Sequence, residues 1–309
     1  GLAGASFTPA YAYVADVTPP EKRAQSFGIV SACFGVGFIL GPAIGGFLGG
    51  FGPRAPFFAA AALSLTNFAY GCFALPESLP PERRRAFDLR RANPLGTLLQ
   101  IRKHPEVLGI LGAIFLWMVS QQVMPSTWAY YTKFRFGWSE AVIGGSLALA
   151  GTIMALSQAV LMRFAVPRLG ERRSAIIGLL ISSVGNVGYA TATAGWMMFA
   201  WLGTWFFGAI VMPSSNGLMS RLTPPQTQGE LQGAVTCLFS LSQIVGPPLM
   251  TQVFARFSGA NAPVQLPGAA FLVSAALALG CAAIYWSVTR HHAALARSSE
   301  PRPAADPAS

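Results

Sequence analysis

Eight intervals of this 309-residue chain contain no Asp, Glu, Lys or Arg: 1–15, 24–53, 55–76, 107–132, 141–162, 174–220, 231–255 and 257–289. About 20 apolar residues make a helix long enough to cross a bilayer, at 1.5 Å per residue. The 174–220 interval is too long for one crossing, and "ATAGW" at 192–196 supplies a turn in its middle. Nine crossings are therefore expected, the first of them cut short. Hydrocarbon offers backbone groups no partners, so each crossing must be a helix. Only 10% of the residues are charged, against roughly a quarter in a soluble domain.

The charged residues fall between these blocks. The segments 16–23, 77–106, 163–173, 221–230 and 290–309 hold 17 of the 21 Lys and Arg residues. The alternate segments hold Arg54, Lys133, Arg135 and Arg256. This imbalance puts the first set in the cytoplasm. It also accounts for the net charge of +10 without nucleic acid, since no basic stripe with interleaved aromatics runs along any element. Cys33, Cys72, Cys237 and Cys281 all lie within expected spans and read as small apolar residues. No metal-ligand spacing, P-loop, HExxH or CxxC is present. Neither an enzyme nor a bound cofactor is expected.

Two stretches align without a gap at an offset of 205 residues, "TPPEKRAQSFGIVSACFGVGFILGP" (18–42) and "TPPQTQGELQGAVTCLFSLSQIVGP" (223–247). The nine shared positions include the TPP turn and the Gly-Pro pair. A parallel repeat of this size implies two similar halves. Residues 106–205 have no partner in front of them, which implies that three spans and the start of a fourth precede Gly1 in the intact protein. The nine spans then become nine of twelve. Residues 1–76 hold the end of the first six-helix half, 77–105 a cytoplasmic linker, 106–289 the second half, and 290–309 a cytoplasmic, disordered tail.

"GFILGPAIGG" at 37–46 fits the GxxxGPxxGG pattern of the fifth helix of drug:proton antiporters in the major facilitator superfamily. The flanking "SACFGVGFILGPAIGGFLGGFGPRAPFF", "RLGERR" at 168–173 and "GELQG" at 229–233 resemble bacterial tetracycline exporters. The resemblance implies an all-α membrane protein with the major facilitator fold. It implies a monomeric efflux transporter of a bacterial inner membrane, exchanging a small drug-like molecule for protons. A metabolite facilitator of the same fold and a non-transporting remnant stand as alternatives.

The resemblance also assigns candidate residues. Gly37, Gly41, Pro42, Gly45 and Gly46 form the antiporter motif. Gly37, Gly41, Gly45 and Gly49 recur every four residues, a stripe suited to close helix approach, and Pro42 should bend the helix. Arg168, Gly170, Arg172 and Arg173 match a degenerate cytoplasmic loop motif, where the arginines either pair with a helix end or an acid, or serve only as orientation charge. The first, fourth, seventh and tenth helices line the cavity in that family. Tyr11, Trp117, Gln122, Trp205, Ser215 and Asn216, with Gln158 of the eighth helix, are then either substrate contacts or interhelical hydrogen-bonding groups. Trp128, Trp138, Trp196 and Trp286 fall near span ends and read as interface anchors.

No acidic residue lies deep in a span; Asp16, Glu77, Glu106, Glu140 and Glu230 all fall at helix ends. Tetracycline exporters carry an acid at the position of Ser182 and a histidine at that of Met154, while Gln158 matches their glutamine. The two departures imply that neutral or cationic lipophilic compounds are moved better than tetracycline.

Overall fold

A computed structural model describes residues 10, 13–14, 17–19, 22–76, 105–223, 228–259, 262 and 264–298. The described residues contain helices and turns and no strand. The helices are α1 (Arg23–Gly49), α2 (Ala55–Ala74), α3 (Pro105–Gln121), α4 (Val123–Phe136), α5 (Glu140–Val160), α6 (Val166–Leu169), α7 (Glu171–Thr191), α8 (Gly195–Leu202), α9 (Trp205–Gly208), α10 (Val211–Leu222), α11 (Gln228–Ser258) and α12 (Ala269–Ser298). Seven helical runs among the described residues are long and apolar enough to cross a membrane, and α1 adds a shorter apolar stretch, Gly35–Gly49. The chain is a multi-pass membrane protein. Nine crossings are not reached, because the first expected one, 1–15, lies almost wholly outside the described residues, as does most of the 77–105 linker.

Two of the spans are interrupted beside a proline, while Pro42, Pro247 and Pro248 lie inside unbroken helices. Pro125 cannot donate to the carbonyl of Gln121, and the ladder lapses between α3 and α4 at Gln122. Pro213 likewise frees the carbonyl of Ala209, where the tenth span changes from α9 to α10. Here the freed oxygen is satisfied from another helix: Gln158 Nε2 donates to it at 3.0 Å. The neighbouring Ser157 hydroxyl donates to the carbonyl of Phe206. The turn expected at 192–196 is present between α7 and α8.

Two boundaries differ from the sequence reading. The eighth span does not stop at residue 162. It continues through a π-helical turn, Leu161–Ala165, into α6, so that only Gly170 separates it from α7. Gly170 sits at φ +79°, ψ 157°, a conformation open essentially to glycine. The last helix runs on to Ser298, past the charge at Arg290 and into the expected tail.

The chain divides into two compact units, residues 1–92 with 138–155, and residues 93–137 with 156–309. The first contains α1, α2 and most of α5. α2 buries none of its residues, and Phe57, Phe58 and Phe73 are exposed, as side chains facing lipid tails can be. The second unit is a bundle in which α12 packs along both α3 and α7. Its core runs from Val107, Ile110 and Ile114 of α3 to Leu179, Val211, Leu231, Cys281 and Tyr285. Within it, Ser120 and Ser274 share a hydroxyl–hydroxyl contact of 2.8 Å, and each hydroxyl also donates to the other residue's carbonyl at 3.0 Å. Interhelical hydrogen bonds in membranes average about 0.6 kcal/mol. Ser274→Ala removes one of them, with its contact to the Ser120 hydroxyl, and should lower unfolding stability by about 0.6 kcal/mol, measured by thermal unfolding in detergent. An unchanged midpoint would mean the pair contributes nothing.

A four-ring cluster fixes the far end of this unit. Trp128, Tyr131, Tyr189 and Phe271 are each only 1% exposed. Phe271 lies edge-on to Trp128 and Tyr131, with centroids 6.3 and 5.0 Å apart. The Tyr131 hydroxyl donates to the Tyr189 carbonyl at 2.8 Å. Trp128 is thus a core residue and not the interface anchor its position in the span suggested. Trp196 and Trp286, 71% and 51% exposed, keep the outward position of anchors.

Candidate functional site

In the first unit the antiporter motif meets the start of the eighth span backbone to backbone. A Cβ built on Gly46 would lie 2.8 Å from the Glu140 carbonyl oxygen and 2.9 Å from the Gly144 Cα. One on Gly144 would lie 2.5 Å from the Pro42 carbonyl oxygen and 2.8 Å from the Gly46 Cα. Gly49 continues the seam, 3.2 Å from the Glu140 Cβ by the same measure. The contact therefore runs through Pro42, Gly46 and Gly49. Gly37, Gly41 and Gly45 meet nothing within 4 Å among the described residues. Of the four-residue stripe seen in the sequence, Gly49 alone lies on this contact among the described residues. Helix geometry puts Gly46 and Gly49 on the face that Pro42 begins, at spacings of four and three.

The second unit has its own smooth face. Gly178, Gly185 and Gly188 of α7 stand against the carbonyl of Phe207, Thr204 and the Trp201 ring, at points where a Cβ would collide. Ser182 belongs to this face. Its hydroxyl would lie 2.5 Å from a Cβ on Gly208, and the Trp117 ring closes the same spot at 3.7 Å. Ser182 fits because residue 208 is glycine, and a longer acidic side chain there would need this contact to open.

Trp117 and Ser215 are enclosed in the bundle, at 2% and 0% exposure. Gln122 is also buried and fills the space left by Gly246, where a Cβ would overlap its side chain. The Gly-Pro copy in α11 thus receives a glutamine from the broken seventh span. Trp205 and Asn216 are half-buried, and Gln158 is exposed but committed to Ala209. Met154 is half-buried on α5. Tyr11 lies outside the described residues.

The loop motif is organised around two charged residues. Arg172 donates through Nε to the Thr289 hydroxyl at 2.7 Å and stacks over the Trp286 ring, 4.8 Å from its centroid. Glu171, absent from the sequence-derived candidates, pairs with Arg221 of α10 at 3.2 Å. Arg168 and Arg173 are exposed. Of the two readings of these arginines, the structure gives Arg172 a specific partner on α12 and leaves Arg173 at the surface. Gly144 carries no pattern in the sequence that marks it; only the packing brings it to the antiporter motif, whereas Glu171 lies within RLGERR and only its partner Arg221 is new.

Comparison with known proteins agrees with this architecture. The sequence matches the Major Facilitator Superfamily over residues 1–168 and 164–308. It is 39% identical to the tetracycline resistance protein, class C, of Escherichia coli over 91% of this chain and 69% of that protein. It is 37% identical to the class G protein of Vibrio anguillarum, over 87% of this chain and 68% of that one. Among solved structures, a bacterial homologue of the human lysosomal transporter Spinster superposes with a TM-score of 0.68 at 15% identity, over 91% of this chain and 74% of that one. The human organic anion transporter MFSD10 gives 0.61 at 24% identity, over 89% and 66%. With matching spans, the Gly-Pro seam and relatives of this similarity over most of its length, the chain belongs to the Major Facilitator Superfamily of transporters and resembles its tetracycline resistance proteins.

Proposed function

We propose that the chain is the larger part of a proton-coupled efflux transporter of a bacterial inner membrane, which exports a drug-like small molecule by alternating access. The observation that carries this reading is the backbone contact of Gly46 in the antiporter motif with Gly144 on α5. Two spans without side chains between them can close tightly and still slide or tilt, since no interdigitated side chains have to disengage. The likeness to tetracycline resistance proteins supports efflux and a substrate of that size. Protons are the coupling ion that the drug:proton antiporter motif suggests, and a monomer is the working unit.

Gln122, Trp205, Ser215 and Asn216 are the proposed substrate contacts from the seventh and tenth spans, with Trp117 behind them. Tetracycline travels as a charged metal chelate, and burying an unpaired ion is costly. Ser182 offers it no countercharge. Neutral lipophilic substrates need none, and lipophilic cations can lie against the half-buried Trp205 ring, so both suit this half better.

The full-length gene expressed in an efflux-deficient bacterium tests the reading. Resistance to lipophilic drugs such as ethidium should exceed resistance to tetracycline, and Asn216→Ala should reduce it several-fold. Strong tetracycline resistance would refute the assignment of substrate charge. Resistance to no member of the panel would favour a metabolite facilitator, the reading that the uncharged Ser182 also allows.

A further inference from the structure

The backbone ladder of the tenth span stops and restarts between α9 and α10. It closes last where the Ala209 N–H donates to the Trp205 carbonyl at 3.0 Å. It resumes where the Ser214 N–H donates to the Ile210 carbonyl at 3.0 Å. The carbonyls of Phe206, Phe207, Gly208 and Ala209 fall in the gap. Pro213 accounts for Ala209 alone, whose α-helical donor it removes. Pro42 and Pro247 sit inside continuous helices, so a proline by itself does not open a gap of this size. A carbonyl left without a donor in apolar surroundings is costly, and the gap persists only if donors reach it from elsewhere.

Two adjacent side chains of α5 supply them. Ser157 donates its hydroxyl to the Phe206 carbonyl, and Gln158 donates its amide to the Ala209 carbonyl at 3.0 Å. The first and last carbonyls of the gap are thus both taken. All four residues belong to the second compact unit, and Ser157 is fully enclosed there. From α7, Gly178 makes room for the middle of the gap: a Cβ on it would lie 2.7 Å from the Phe207 carbonyl oxygen and 2.8 Å from Val211 Cγ2. Of the two donors Gln158 is the less replaceable. The Ile210 N–H could return to the Phe206 carbonyl if Ser157 let go, but residue 213 has no N–H to return to Ala209.

We propose that Gln158, with Ser157 beside it, is a positioning residue of the substrate site: the clasp holds the break of the tenth span and fixes the rotation of α10 relative to α9. The gap lies between Trp205 on one side and Ser215 and Asn216 on the other, three of the substrate contacts proposed above. Ser215 and Asn216 stand in the first turns of α10, directly after the bond that restarts the ladder, so the direction they face follows from how the gap turns the chain. Gln158 acts on the substrate through the Ala209 carbonyl and has no need to touch it. The inference rests on the transporter reading for the roles of Trp205, Ser215 and Asn216. The clasp itself rests on its two hydrogen bonds.

A double-mutant cycle on the full-length protein in lipid nanodiscs gives the test. Gln158→Met keeps the length of the side chain and removes its donor. Pro213→Ala gives residue 213 an N–H that can serve the Ala209 carbonyl from within the helix. In the native background, Gln158→Met should raise the Kd for ethidium, read by its fluorescence, about threefold. Hydrogen–deuterium exchange over residues 205–217 should quicken by a similar factor. In the Pro213→Ala background the same substitution should change both readings by less than about 1.5-fold, because the carbonyl no longer depends on the glutamine. An equal rise in Kd in both backgrounds would place Gln158 against the drug and overturn the positioning role. Quickened exchange with an unchanged Kd would make the bond structural only, and unchanged exchange in Gln158→Met would remove the clasp. If the native protein binds no ethidium, the drug reading loses its support, and the two exchange measurements still decide whether Gln158 holds the break.

Discussion

Gly144→Ala abolishes export, and its neighbour Gly145→Ala leaves export near the native level: this is the expected result of adding one methyl group to either side of the same helix turn. The methyl at 144 would be 2.5 Å from the Pro42 carbonyl oxygen and 2.8 Å from the Gly46 Cα, both backbone atoms that no rotamer change can move. Among the described residues the methyl at 145 meets nothing within 4 Å. Overpacking of this kind costs about 1–3 kcal/mol when neighbours can shift, and here the only relief is separation of α1 from α5. A closed state weakened by 3 kcal/mol loses about a hundredfold in population. Drug resistance in cells, with transport by purified protein, measures the outcome. Native export by Gly144→Ala would show that the seam is incidental packing. Gly46→Ala should behave like Gly144→Ala, since its methyl would meet the Glu140 carbonyl and the Gly144 Cα.

The largest effect on stability is expected at Phe271. Its ring closes the cluster of Trp128, Tyr131 and Tyr189, all 1% exposed. Phe271→Ala should cost about 3–5 kcal/mol by loss of contacts and formation of a cavity. Thermal unfolding in detergent should show a large drop in midpoint. Phe73→Ala, at a position 91% exposed, should show almost none. Comparable midpoints for the two variants would mean that the aromatic cluster collapses without penalty. Transport per folded molecule should be unchanged by either substitution, because neither residue lies in the seam or among the proposed substrate contacts.

The breaks in the spans illustrate which properties a linear reading can reach. Pro125 and Pro213 stand where their spans are interrupted, yet Pro42, Pro247 and Pro248 lie inside unbroken helices, so a missing N–H by itself does not decide a break. The sequence does not reveal that the carbonyl freed by Pro213 is taken by Gln158, 51 residues away in sequence. That glutamine had two readings, substrate contact or interhelical hydrogen bond, and the fold shows it making the second. Trp128 was misassigned for a related reason. Its place near a span end matches an anchor, but what decides burial is the packing of Tyr189 and Phe271 against it.

By itself the sequence determined the approximate limits of most spans, their helical nature and the superfamily. Each follows from a condition imposed segment by segment: hydrocarbon tolerates no unpaired backbone and few charges, so every crossing must declare itself locally. Only the tertiary structure decided which faces meet. A span apolar on all sides carries no stripe that points to its neighbour, because lipid and protein are equally acceptable to leucine and phenylalanine. Hence the antiporter motif was legible as a motif, while its partner Gly144, the contact line through Pro42, Gly46 and Gly49, and the pairing of Glu171 with Arg221 beside Gly217 were not. Those contacts depend on the rotation of each helix about its axis, which glycine gaps and a few buried polar groups fix only when the helices are brought together.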